Sequence, residues 1–232
     1  MTLSNKFLVL YVFVAVLGFS TVSRNPPPLE ASQLQSFSFS WSADTRRRED
    51  PIAFDNIINL LNGPNPMLAL YREDVTHQQV VDFFVQLTGS PETALPVLYH
   101  ADRANVSLSL VFSLIWVESR FSPVAVNQNA TSIDRGLFQL NNRTFRDLEL
   151  EDFFHIDTNT FHGIDFLVWC LAHTTDEYQA LAVYNAGLTR VRAGMTPAST
   201  LVYVERVRAY RERLLQRFRQ YILDEFPSHS PG

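Results

Sequence analysis

Lysine is all but missing from this chain of 232 residues: Lys6 is the only one, so every other permanent cation is an arginine. The net charge of −5 also lacks the basic excess that nucleic-acid binding requires, and that class is set aside. A single cysteine, Cys170, excludes a disulfide framework within the chain. It lies in Phe166-Leu167-Val168-Trp169-Cys170-Leu171, an apolar run that predicts a buried thiol rather than a nucleophile. The six histidines show no HExxH or similar ligand spacing, so no metal and no cofactor is expected. Glycine is scarce, at 8 residues, and long sections carry apolar residues at helical spacing. The reading is a mainly α protein with one sizeable core.

The densest apolar stretch runs from Leu108 to Glu118 and contains only two serines and one charge. A helix apolar on nearly every face is a buried helix. Ser107 is placed to cap it and Pro123 stands just past its end. Glu118 is therefore a carboxylate delivered to the end of a core helix. Burial disfavours the ionised form, so its pKa is expected to rise, and a carboxyl kept protonated can donate to a leaving group. Taken alone, the plainer reading is that Glu118 is the first exposed residue after a buried run.

Taken in order, residues 1–23 read as a secretory signal: Lys6, a short apolar run from Phe7 to Phe19, then small residues. An uncleaved N-terminal anchor is the alternative, and either places the protein in the periplasm or cell envelope. Residues 24–50 read as a linker, with Pro26-Pro27-Pro28 and Arg46-Arg47-Arg48. Residues 51–95 read as a helical N-terminal segment, either a brace or a docking element. Within it Thr76 is expected to cap a helix through Leu87, which Gly89 stops. Ser90-Pro91-Glu92 then restarts a helix to about Ala104. Residues 123–143 read as loop and turn with a short strand-like piece over 134–141. Helices are expected from Thr144 to about Glu151, from Thr160 to about His173, and from a Thr175-Asp176-Glu177 cap to Ala186 before Gly187. A last, long one runs from Thr196-Pro197 to about Asp224, with Leu201, Val204, Val207, Leu214, Leu215 and Phe218 as its apolar stripe. Its arginine-rich face reads as solvated. Residues 224–232 form a tail.

Four pieces then fall in order: Glu118-Ser119-Arg120-Phe121-Ser122-Pro123; Gly136-Leu137-Phe138-Gln139-Leu140-Asn141; Ala182-Val183-Tyr184-Asn185-Ala186-Gly187; and Tyr203-Val204-Glu205-Arg206-Val207. Their order and spacing resemble the soluble lytic transglycosylase family, whose catalytic domain shares the goose-type lysozyme fold. The resemblance implies a lysozyme-like α+β catalytic domain over 96–223, with a very small β element. It also implies cleavage of the β-1,4 bond between N-acetylmuramic acid and N-acetylglucosamine in peptidoglycan, leaving a 1,6-anhydro-muramic acid end. It further implies that Glu118 is the single acid that then acts as base. Ser119, Gln139, Tyr184 and Asn185 would line the sugar groove, and the Tyr203 hydroxyl would orient the glutamate. Each of these residues has a plainer reading by itself: a turn residue, a helix end, a half-buried aromatic. Phe138 and Asn141 depart from the commoner methionine and proline.

The residue types suit that chemistry. Glycosidases ordinarily need two carboxylates, but a substrate whose N-acetyl group supplies the nucleophile needs only one. The polar loop from Asn127 to Asp134 is like that of members that open the wall for secretion or pilus machinery, which names a class of partner. Asp134 keeps a second reading open: goose-type lysozymes have an aspartate in a similar Asp-Arg-Gly context and hydrolyse the same bond with water. A third reading, of another class, is a non-catalytic peptidoglycan-binding protein.

Overall fold

The computed structural model describes residues 51–227, and the signal and linker readings over 1–50 lie outside the described residues. Within them the protein is mainly helical with one small antiparallel sheet. The helices are α1 (Pro51–Leu61), α2 (Pro66–Tyr71), α3 (His77–Thr88), α4 (Pro91–Arg103) and α5 (Leu108–Ser119), followed by α6 (Ile156–Ala172), α7 (Glu177–Ala186), α8 (Leu188–Arg192) and α9 (Ala198–Glu225). Between α5 and α6 lie β1 (Val126–Gln128), β2 (Ile133–Arg135) and β3 (Leu140–Asn141), in that spatial order. Asp134 pairs with Asn127 on one side and Asn141 on the other. No described helix is long and apolar enough to cross a membrane.

The centre is α5, whose residues from Leu108 to Ile115 are all buried. A helix hydrophobic all round needs neighbours on every side. The main one is α9, and α4 and α2 also pack on α5. The N-terminal segment belongs to the same core. Phe84 stacks on Phe112 with centroids 4.0 Å apart, and Phe83 meets Phe218 edge to face at 5.1 Å. Aromatic rings of the 51–95 segment thus pack against both α5 and α9.

Several boundaries differ from expectation, each for a local reason. Ser107 and Thr76 occupy the cap positions of α5 and α3, but neither side chain caps. The Ser107 hydroxyl meets Ser109 Oγ at 2.9 Å, and Thr76 Oγ1 donates to the Leu70 carbonyl at 2.5 Å. Ser90 and Asp176 do cap, accepting from Thr93 N and Gln179 N. The expected helix from Thr144 to Glu151 is absent; separate turns stand there. Half of that stretch is charged, Leu150 is exposed, and backbone donors are taken locally, as in Glu149 N to Asp152 Oδ2 at 2.9 Å. Helix α6 starts four residues before Thr160, because His155 caps it through its ring nitrogen. The apolar Leu137 and Phe138 lie in a buried turn, not a strand. On α9 the stripe holds except at Leu201, which is 41% exposed. The short α8 was not anticipated.

Candidate active site

Two helix ends meet over Glu118. The last turn of α5 presents it, and a left-handed reversal follows, with Arg120 at φ 56° and Phe121 at φ 63°. Two successive non-glycine residues in this region are costly, by about 1 kcal/mol or more each. Burial of the Phe121 ring beside Phe112 offsets that cost. From the second turn of α9, the Tyr203 hydroxyl donates to Glu118 Oε1 at 2.6 Å. Oε2 is thereby left for the proton.

Electrostatics set the state of this pair. Burial pushes the Glu118 carboxyl up to about 8; the Tyr203 hydrogen bond pulls it back, and the negative charge of Asp134 adds to the rise. Tyr203 is driven well above its ordinary value by burial and by the neighbouring Glu118, so its phenol stays protonated and keeps a proton to donate to Glu118. With a value near 8, about nine-tenths of Glu118 is protonated at pH 7.

The remaining residues arrive from two directions. Gln139, at φ 49°, ends the buried turn before β3. Its amide donates to the carbonyls of Gly136 at 2.9 Å and Ala125 at 3.1 Å, which leaves its own carbonyl oxygen outward. Tyr184 on α7 donates to the Phe138 carbonyl at 3.0 Å and so ties the turn to α7. Asn185, exposed at the end of α7, accepts from Thr200 of α9 at 2.7 Å and keeps its amide donors free. Burial and the negative charge of Glu118 also hold the Tyr184 phenol well above its ordinary value. The structure therefore joins Glu118 directly to Tyr203, and joins Tyr184 to the Gln139 turn. Ser119 is placed differently: it is buried and its hydroxyl donates back to Ile115 O at 3.2 Å, so its donor is spent inside the helix.

The turn carrying Gln139 depends on a residue the sequence reading missed. Asn159, 1% exposed on α6, accepts from Phe138 N at 2.9 Å. It also donates to the carbonyls of Phe153 at 2.9 Å and Arg135 at 3.1 Å. Gly136 approaches so closely that an added Cβ would lie 2.2 Å from Phe153 O and 2.3 Å from Asn159 Nδ2. A buried hydrogen bond, His100 Nε2 to Asp157 Oδ1 at 2.8 Å, locks α6 to α4 beside it. The one available signal was the polar run Asp157-Thr158-Asn159-Thr160, all of it buried.

Asp134 projects from the middle strand. It accepts from Asn141 at 2.6 Å, Asn129 at 2.8 Å and Asn127 at 3.3 Å. A cavity of about 320 Å³, lined by Leu61, Pro64, Pro66, Ser109, Arg211 and Phe218, lies at the far end of α5 from Glu118 and plays no part in this constellation.

The geometry is that of a half-buried acid held by a phenol donor at the end of a core helix. Residues 96–200 match the family described as the transglycosylase SLT domain. The match spans Glu118, the Gln139 turn and the Tyr184-Asn185 pair; Tyr203 lies three residues beyond it. No curated protein was found to match the chain. The domain suggests transglycosylase activity on peptidoglycan and implies that peptidoglycan is bound.

Proposed function

We propose that the protein is a peptidoglycan lytic transglycosylase acting in the cell envelope, with Glu118 as both acid and base. The observation that carries this reading is the Tyr203–Glu118 hydrogen bond at the buried end of α5. Burial keeps the carboxyl protonated at neutral pH, and the phenol occupies one oxygen and leaves the other free. Glu118 gives its proton to the glycosidic oxygen as the bond from that oxygen to muramic acid C1 breaks. The N-acetyl carbonyl oxygen of the same sugar bonds to C1 and holds the developing positive charge. Glu118, now a carboxylate steadied by Tyr203, takes the proton from the sugar's 6-hydroxyl. O6 then bonds to C1, and the bond to the acetyl oxygen breaks. Glu118 ends protonated, and no water is consumed.

Gln139 and Asn185 supply the neutral hydrogen-bonding groups that a sugar needs on either side of the broken bond. Tyr184 shapes the groove wall by fixing the Gln139 turn. Ser119 supports the helix end rather than the sugar.

Mass spectrometry of muropeptides released from purified sacculi tests the reading. Products lighter by one water than the hydrolysed forms are expected. Hydrolysed ends alone would replace it with the muramidase reading. That second reading is favoured by one observation: Asp134 lies close enough to raise the Glu118 carboxyl. Wall binding with no product would leave a glycan-binding protein.

A further inference from the structure

The cavity at the far end of α5 from Glu118 is apolar on both sides. Leu61, Pro64 and Pro66 come from the α1–α2 turn, and Leu215 and Phe218 come from α9. Phe218 already belongs to an aromatic cluster, 5.1 Å from Phe83 and 6.4 Å from Phe84 between ring centroids. At about 320 Å³ the space admits an aromatic side chain, since an apolar cavity of about 150 Å³ holds a benzene ring. Two guanidinium groups border it. Arg211 is spent: it donates to Ser109 Oγ at 2.8 Å, to Ser107 Oγ at 3.3 Å and to Glu177. Arg219 is exposed, donates to Asn62 Oδ1 at 3.0 Å, and has no carboxylate partner among the described residues. Apart from Ser109, every lining residue lies outside 96–200, so the cavity is built from what this chain adds to the matched domain.

The chain before α1 carries a pattern that a plain linker does not need. Residues 31–43 hold no charge, and Phe37, Phe39 and Trp41 alternate with Ser36, Ser38, Ser40 and Ser42. In extended backbone that alternation puts three rings on one face. Asp44 is the first charge after them. The reach suffices. Helix α1 is about 15 Å long and ends at the cavity with Leu61. The ten residues from Trp41 to Pro51 span up to about 33 Å, so the segment can turn back along α1 with length to spare. A tethered segment also acts at an effective concentration near millimolar, which favours it over a separate partner. We infer that the Phe37–Trp41 segment docks in this cavity, with the Trp41 ring among Leu61, Leu215 and Phe218 and the Asp44 carboxylate on Arg219. Part of the stretch read as a linker is then a strap on the α1–α9 face.

Fluorine-19 NMR of the full chain labelled with fluorotryptophan tests this without reference to glycan cleavage. The three tryptophans give three signals, and Trp41→Phe identifies the one that matters. That signal is expected away from its position in urea, and unmoved by roughly tenfold dilution, as a contact within one chain requires. Leu215→Arg puts a charge in the cavity and should return the Trp41 signal to the urea position. The Trp116 and Trp169 signals should hold, which tells undocking from unfolding. Arg219→Glu, at an exposed position, sets a like charge against Asp44 and should move the signal part of the way; it decides alone if the Leu215 variant unfolds. A Trp41 signal at the urea position in the unsubstituted protein would overturn the inference. So would a signal that neither substitution moves, which would seat the ring elsewhere. A signal that moves on dilution would also overturn it, by giving the cavity to a second copy.

Discussion

Two carboxylates close enough to feel each other's charge stand on opposite kinds of structure. Glu118 sits at the end of a helix buried from Leu108 to Ile115 and accepts one hydrogen bond that the structure records, from a phenol. Asp134 sits in a three-stranded sheet with one exposed edge and accepts from three asparagine amides. The packed helix end makes ionisation costly and keeps a proton available. The polar sheet surrounds a carboxylate with donors and commits its oxygens to holding a loop together. Which of two acids does the chemistry is thus decided by what surrounds each, not by residue type.

The comparison is broken hardest by Glu118→Gln. It should lower glycan cleavage by about 10³-fold or more with the fold intact, measured as released muropeptide, since the acid step has no substitute. The same substitution has a stability signature. The folded carboxyl titrates near 8 against 4.5 when unfolded, so the folded protein holds the proton longer and stability falls as pH rises between those values. The glutamine variant lacks this fall, so in urea unfolding its stability should not decline between pH 5 and pH 8 as the wild type's does.

Gly136→Ala tests the sheet side. The added Cβ has nowhere to go at φ 77° against Phe153 O and Asn159, so a loss of about 3 kcal/mol is expected by the same unfolding measurement. A wild-type midpoint would mean that the turn is looser than described. Tyr203→Phe is smaller. Activity should drop about 10- to 100-fold, because the carboxylate needed in the second step loses its donor. Removing that donor also raises the Glu118 value further, so the alkaline limb of the pH–rate profile should move upward. Asp134→Asn has the least effect: the alkaline limb should move down by less than one unit, with the rate within about threefold. Complete loss of cleavage there would transfer the chemistry to the two-acid, hydrolytic scheme.

Sequence reading found the packed side more readily than the polar one. The unbroken apolar run predicted both the buried α5 and the raised Glu118, because a hydrophobic pattern states its own environment. The Ser90 and Asp176 caps were equally legible, since capping is local. Tyr203 and Gln139 were reached only through the resemblance, and nothing beside Tyr203 says that its partner lies 85 residues away. Asn159 and the His100–Asp157 bond, whose partners are 57 residues apart, left only the polar run Asp157-Thr158-Asn159-Thr160 as a signal, and Asn159 holds the turn on which Gln139 sits. The segment from Thr144 to Glu151 was misread for the opposite reason. Its helical propensity is unexceptional, but it offers too little apolar surface to be held as a helix.

The most direct measurement is a titration of the Glu118 carboxyl itself, by carbon-13 NMR of glutamate-labelled protein with the Glu118→Gln spectrum subtracted. The account predicts one carboxyl with a midpoint near 8, moving upward in Tyr203→Phe. A midpoint near 4.5 would mean that the helix end does not hold the proton, and the one-acid mechanism would have no acid at neutral pH.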